Sequence, residues 1–223
     1  MDKELLAYLS TFVTEERKKR FEDVLAWRTR HIAIALEDIY QSHNASAVLR
    51  SCDCFGIQDV HIIENRNSFT ANSEIDLGSS KWLSLHKYNK RSENNTAECI
   101  STLKKKGYRI IATTPHENGI AIDDLDINTK LCLVFGTELE GVTSDVHELA
   151  DGFARIPMFG FTESFNISVS AALCLNVLIK KLHGSAVNWH LSDDDKDSLR
   201  LQWMRSTISK SELIEKDFFE KKK

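Results

Sequence analysis

The sequence predicts an α/β domain: a mostly parallel β-sheet with helices on both faces. Five short runs dominated by apolar residues carry that reading, at 32–39 (IAIALEDI), 60–64 (VHIIE), 109–114 (RIIATT), 131–136 (LCLVFG) and 153–157 (FARIP). Continuous apolar runs, rather than strict alternation, are what strands covered on both faces require. Helical patterns fall between them at 45–55, 94–106, 144–150 and 167–182. Alternation of strand and helix implies right-handed crossovers and hence parallel pairing.

The ends of these elements have local causes. Gly56 follows the first helix, Gly107 the second and Gly184 the last, at the position where a left-handed backbone costs glycine nothing. The pattern also predicts an N-terminal helix over roughly 3–29 and a helical tail after Leu191. In that tail Ser192 serves as N-cap and Asp193, Asp194 and Asp195 lie in the first turn, so the acidic run needs no functional explanation. The expected organisation is a basic N-terminal helical extension (1–30), a central α/β domain (31–184) and a C-terminal helical tail (185–223). There is no internal repeat, no low-complexity linker and only two prolines, so no separate second domain is expected.

Composition sets further bounds. A chain of 223 residues with 42% hydrophobic and 28% charged content can bury the core of one α/β domain. No stretch approaches the roughly 20 apolar residues that a membrane span needs, and the N-terminus MDKELLAYLSTFVTEERKKR has early acids and too short an apolar run for a signal peptide. A soluble, cytoplasmic protein without a membrane partner is the expectation. Five cysteines (Cys52, Cys54, Cys99, Cys132 and Cys174) contain no C-x-x-C, so neither structural zinc nor a disulfide framework is expected. His31, His43, His61 and His116 lack metal-ligand spacing and read as surface or satisfied polar residues; no metal is expected. A net charge of −4 argues against indiscriminate coating of nucleic acid. The distribution differs from the sum: residues 17–31 hold Arg17, Lys18, Lys19, Arg20, Arg28 and Arg30 against Glu22 and Asp23. That segment is either a solvated helix face or a track for phosphates.

Ligands of open parallel sheets bind beyond the carboxyl ends of the strands, so four strand exits matter most. The first, EDIYQSHN at 37–44, runs into a helix for which Asn44 can be N-cap. Arg50 lies six residues on, and helix geometry alone leaves its direction open. The second is ATTPHENG at 112–119, a polar loop after an apolar strand. The third, FGTELEG at 135–141, has two glycines that permit close backbone approach; it is not G-x-G-x-x-G and follows the fourth strand, so it fits dinucleotide binding poorly. The fourth, IPMFGFTESFNISVSAA at 156–172, places Ser164 and Asn166 at the start of a helix rich in small residues.

Three segments then act together: SHNASAVLRSCDCFGI at 42–57, LVFGTELEGVTSDVHELAD at 133–151 and ARIPMFGFTESFNISVSAALCLNVL at 154–178. In order and spacing they resemble the three signature motifs of the SpoU branch of the SPOUT methyltransferases. At the edges, EDVLAWRTRHIAIALEDI and the tail residues LQWMR resemble the TrmH type, the tRNA (guanosine-2′-O)-methyltransferases that modify the D-loop guanosine at position eighteen. The resemblance implies a C-terminal trefoil knot, an obligate homodimer and S-adenosylmethionine (SAM) as methyl donor. It implies a cofactor site at Thr113, Gly136, Glu138, Gly141, Ile156, Met158 and Phe165. The implied catalytic set is Asn44, Arg50, Glu138, Ser164 and Asn166, with Arg50 as general base or phosphate clamp. A guanidinium is effectively always protonated, which favours the clamp. Lys19, Arg20, Arg28 and Arg30 would lie on the tRNA path. Phe165 and Glu163 depart from the leucine and glutamine common in the TrmH type; neither removes a catalytic group. Other readings are a ribosomal RNA 2′-O-methyltransferase of the same superfamily, which often carries a larger RNA-binding domain, and a non-catalytic RNA-binding module, against which the intact catalytic set speaks.

Overall fold

The structure, a computed structural model, describes residues 2–69, 73–115 and 119–221. Its sheet grows from β1 (Ile32–Glu37), β2 (Asp59–Ile63), β3 (Ser84–Tyr88), β4 (Arg109–Thr113), β5 (Ile120–Ala121), β6 (Leu131–Phe135) and β7 (Gly152–Arg155). Their order is β3-β2-β1-β6-β4-β7-β5, and the paired strands run parallel throughout. The helices are α1 (Asp2–Ser10), α2 (Glu15–Leu25), α3 (Ser42–Cys54), α4 (Ser73–Asp76), α5 (Asn95–Lys105), α6 (Ser144–Leu149), α7 (Ile167–His183), α8 (Asp193–Thr207) and α9 (Ser211–Glu220).

The apolar runs in β1, β2 and β6 are buried at every position, because alternate side chains serve two separate cores. Ile32, Ile34, Leu36, Leu131 and Leu133 pack with α3 and α7 through Val48, Leu49, Leu175 and Leu178. Ala33, Ala35, Cys132 and Val134 face the other way, toward Cys99, Ile100 and Leu103 of α5 and Val146 of α6. The chain passes β1 to β2 to β3 on one side, then returns to place β6 between β1 and β4. That reversal makes the exits of β1 and β6 a switch point, where α/β sheets open a crevice.

Two strands lie outside the sequence expectation. β3 is an edge strand whose residues are mostly half-exposed, so its sequence SLHKY lacks the apolar run that marks its neighbours. β5 has two residues, too few for any pattern. Gly184 also departs from its expected conformation: it ends α7 with φ −87°, which any residue could adopt.

The chain divides into two compact units, one from the two chain ends, up to Arg28 and from His190, the other Thr29–Trp189. In the first, the single N-terminal helix expected over 3–29 is two helices. The first ends at Ser10, and Thr14 starts the next, since its hydroxyl accepts the Arg17 N–H and Glu15 and Glu16 occupy the first turn. Ser192 caps α8 as expected, accepting from the Asp195 N–H at 3.1 Å. Arg200 reaches both carboxylate oxygens of Glu22 at 2.7 and 2.6 Å. No helix among the described residues is long and apolar enough to cross a membrane.

Candidate active site

The exits of β1, β6 and β7 meet through one carboxylate. Glu138 Oε1 accepts the side-chain amide of Asn44 at 2.9 Å and that of Asn166 at 2.7 Å, and Asn166 also donates to Asn44 Oδ1 at 3.1 Å. Residues 44, 138 and 166 lie far apart in the chain, yet every amide group in this triangle has a defined orientation. Asn44 is not the N-cap of its helix: Gln41 holds that position without a side-chain cap bond, and Asn44 sits a turn inside, donating also to Gln41 Oε1 at 2.7 Å. The capping role falls instead on Asn166, whose Oδ1 accepts from Ser168 N at 2.9 Å and Ser168 Oγ at 2.6 Å. Its carbonyl end is spent on α7 and its NH2 end aims at Glu138. Ser164 is not a cap; it lines the adjacent cavity.

The turn carrying Glu138 is built by its glycines. Thr137 and Gly141 exchange backbone hydrogen bonds at 2.9 and 3.0 Å, and a Cβ on Gly136 would run into the Gly141 carbonyl. Gly141 itself has φ 71°, the left-handed region that glycine enters freely. Beside this turn lies a cavity of about 390 Å³. Thr113, Gly136, Glu138, Gly141, Ile156, Met158 and Phe165 all line it, together with Ser164. The Thr113 hydroxyl is bonded to the Val134 carbonyl at 3.1 Å. Residues 116–118 of the second exit, including His116, lie outside the described residues.

Another cavity, about 550 Å³, lies on the other side of the same turn. Glu37, Asp38, Tyr40, Asn44, Arg66, Glu138 and Glu140 are among its lining residues. Gln41 and Arg66 were not singled out from sequence: Gln41 meets Asn44 from one turn away at the start of the same helix, a local pairing the sequence reading passed over, whereas Arg66 lines this cavity only because the fold brings the loop after β2 to the exit of β1.

The arginines separate. Arg50 is exposed on α3 and lines neither cavity, so within one chain it stands apart from the Asn44–Glu138–Asn166 triangle. Lys19 and Arg20 are exposed on α2. Arg28 corrects the expectation: it is 1% exposed, its guanidinium 5.6 Å from the centre of the Trp203 ring, and a side chain so enclosed offers nothing to a phosphate. Arg30 is half-buried, 3.6 Å from Asp59.

Histidines form a further polar cluster. His61 stacks on His86 with ring centroids 4.6 Å apart, His86 Nε2 lies 2.9 Å from Asp59 Oδ1, and His61 Nδ1 lies 3.1 Å from the Tyr88 hydroxyl. Burial, reinforced by the neighbouring His86 charge, pushes His61 down to about 3. Burial pushes Asp59 upward, yet the His86 hydrogen bond and the Arg30 charge together leave it below the ordinary carboxylate value. His31 is buried with Nε2 2.7 Å from the Ile127 carbonyl, and His43 is exposed.

Known proteins share this sequence pattern and this architecture. Residues 31–176 match the SpoU rRNA Methylase family. A tRNA (guanosine(18)-2′-O)-methyltransferase of Borreliella burgdorferi is 41% identical over 210 residues, covering 94% of each chain. The enzyme of the same name from Thermus thermophilus is 34% identical over 162 residues, 73% of this chain and 81% of its own. The crystal structure of an A. aeolicus TrmH/SpoU tRNA modifying enzyme superposes with a TM-score of 0.78 at 26% identity, covering 88% of this chain and 98% of the other.

Proposed function

The chain belongs to the SpoU methylase family, and from that premise we propose that it is a SAM-dependent tRNA 2′-O-ribose methyltransferase acting on the D-loop guanosine at position eighteen. The observation that carries this reading is the Asn44–Glu138–Asn166 triangle, set on a glycine-built turn that walls the cavity lined by all seven expected cofactor residues. The relatives' names supply the nucleotide.

The donor fits what lines the cavity. Ile156, Met158 and Phe165 offer apolar surface for an adenine, and the close-packed backbone at Gly136 and Gly141 leaves room for it with no side chain intruding. Bound there, SAM supplies an electrophilic methyl group. The chain must then hold a ribose hydroxyl, a weak nucleophile, in line and help its proton leave. Glu138 is held at one oxygen by two amides, and in this reading its other oxygen accepts from the ribose hydroxyl or from the arginine that orients it. Ser164, exposed beside Phe165, contacts the RNA or orders the loop.

The reading includes a homodimer. Phe165, Val169 and Leu173 are exposed at the start of α7, and Phe159 and Phe161 are fully exposed in the preceding loop, an apolar surface of the kind that a second subunit covers. Arg50, apart from the triangle in its own chain, acts in this reading from across that interface. The segment after β7 closes the trefoil knot, the chain-end helices carry the basic track of Lys19 and Arg20, and the protein works in the cytoplasm. The direct test is incubation with tRNA and labelled SAM, followed by mapping of 2′-O-methyl groups. One methyl per tRNA at guanosine eighteen is expected; label elsewhere, or none from a folded dimer, overturns the assignment.

A further inference from the structure

The larger cavity poses an electrostatic problem. Its lining carries four carboxylates, Glu37, Asp38, Glu138 and Glu140, and, among the described residues, a single cation, Arg66. An RNA strand delivered to Glu138 brings phosphates toward those acids. Three of the four are committed within the fold. Glu37 accepts from Thr96 Oγ1 and from the Thr143 amide and hydroxyl, and Glu138 holds the two asparagines.

Asp38 is the unusual one. It leaves β1 with φ 53°, a conformation costing a non-glycine residue on the order of 1 kcal/mol. Its Oδ1 accepts three consecutive backbone N–H groups, from Asn65, Arg66 and Asn67, at 2.7, 2.8 and 3.3 Å. The Asn67 amide returns to the Asp38 carbonyl at 3.0 Å. One carboxylate thus pins the loop after β2 to the exit loop that leads into Asn44, and fixes the base of Arg66 beside the catalytic triangle.

The fourth acid, Glu140, pairs with the Arg66 guanidinium at 2.9 Å, and the two side chains are 72% and 67% exposed. An ion pair so open to water contributes at most about 1 kcal/mol, so exchange of one anion for another costs little. A guanidinium binds phosphate through a fork of two donors.

We propose that Arg66 is a positioning residue that grips a backbone phosphate of the acceptor RNA strand, and that Glu140 holds its guanidinium in place until the phosphate displaces it. The proposal rests on the ribose methyltransferase reading above. It gives the acceptor strand a cation from the same chain as Asn44 and Glu138, a place that Arg50 does not occupy in its own chain.

Arg66→Ala, Arg66→Lys, Glu140→Gln and the Arg66→Ala/Glu140→Gln double variant decide it, measured by steady-state methylation and by tRNA binding across a salt series. Because Glu140 also borders the cofactor cavity, S-adenosylhomocysteine affinity is measured for each and should match wild type. Arg66→Ala should raise KM for tRNA about tenfold, the value of one charge-assisted contact. Turnover at saturating tRNA should stay within about twofold, and the salt slope should flatten by about one. Lysine should restore the slope but only part of the affinity. Glu140→Gln should shift affinity the opposite way, tightening tRNA binding several-fold, with the gain absent from the double variant. An unchanged KM and salt slope in Arg66→Ala would overturn the proposal, as would a Glu140→Gln variant that weakens binding in step with Arg66→Ala, the mark of a merely structural pair. If wild type methylates no tRNA ribose, the functional reading fails by itself, while the binding and salt arms still judge Arg66.

Discussion

Two polar clusters in this molecule are built alike and serve different ends. At the strand exits, Glu138 gathers Asn44 and Asn166; under the β2–β3 edge, Asp59 gathers His86, with His61 and Tyr88 behind it. Judged by residue type, the histidine cluster is the better candidate for catalysis, having two histidines, an acid and a tyrosine in contact. Yet neither of the two cavities reaches it, and His61 is 1% exposed. Glu138 is exposed and borders both. Chemistry needs a group that a substrate can reach within a cavity, whereas a largely buried network of the same groups, only His86 being partly exposed, satisfies buried polar atoms and sets stability. Access, and not the list of side chains, separates a site from a scaffold.

The largest effect that would break this comparison is catalytic. Glu138→Ala and Arg50→Ala should each lower turnover by about a hundredfold or more with the melting temperature little changed, because each loses a transition-state contact rather than packing. If Arg50 acts across a dimer interface, co-expression of the two variants should restore about a quarter of wild-type activity, since half the dimers are mixed and each mixed dimer has one intact site. Failure of complementation would place Arg50 with the Glu138 of its own chain.

A smaller effect belongs to the histidine cluster. His61 is held neutral in the fold, at about 3 against an ordinary 6.5, so below 6.5 the unfolded chain takes up a proton that the folded chain refuses. Its contribution is complete above that value and lost as pH falls through it. At pH 5.5 the loss attributable to this residue should be about 1.4 kcal/mol. Urea unfolding between pH 7.5 and 5.5 should show this slope in wild type and not in His61→Asn. An unaltered slope would mean that the cluster opens to water.

The smallest expected effect separates the exposed basic residues of α2 from the enclosed Arg28. Lys19→Glu and Arg20→Glu should weaken tRNA binding by up to about tenfold each and flatten its salt dependence, leaving stability within about 0.5 kcal/mol. Arg28→Ala should do the reverse, lowering the melting temperature through loss of the packed guanidinium over Trp203. Equal effects on tRNA binding from Arg28 and Lys19 would show that the enclosed arginine becomes accessible in the complex.

What the chain determined by itself was local or repetitive. The apolar runs of β1, β2, β4 and β6 read as buried strands because burial on both faces selects apolar residues, the few polar ones, Glu37, Asp59 and His61, being held by hydrogen bonds or ring contacts; β7 follows the same pattern although it is half-buried at three of its four positions. Gly56 and Gly107 marked helix ends because both adopt positive φ, and Ser192 marked a helix start because its hydroxyl is the nearest acceptor for a free N–H. The second and third motifs pointed to most of the residues that line one cavity because those residues sit in contiguous loops, each carried by one strand exit, while Thr113 joins them from the end of β4. Only the tertiary structure decided the rest. Asn44 proved to be a hydrogen-bonding partner and not a cap, Arg28 proved to be enclosed against Trp203, and Arg66 came to line the same cavity as Glu138. Side-chain direction and burial are set by what packs against a residue from elsewhere in the chain, and no local pattern around an arginine or an asparagine records the neighbour that a sheet crossover will bring.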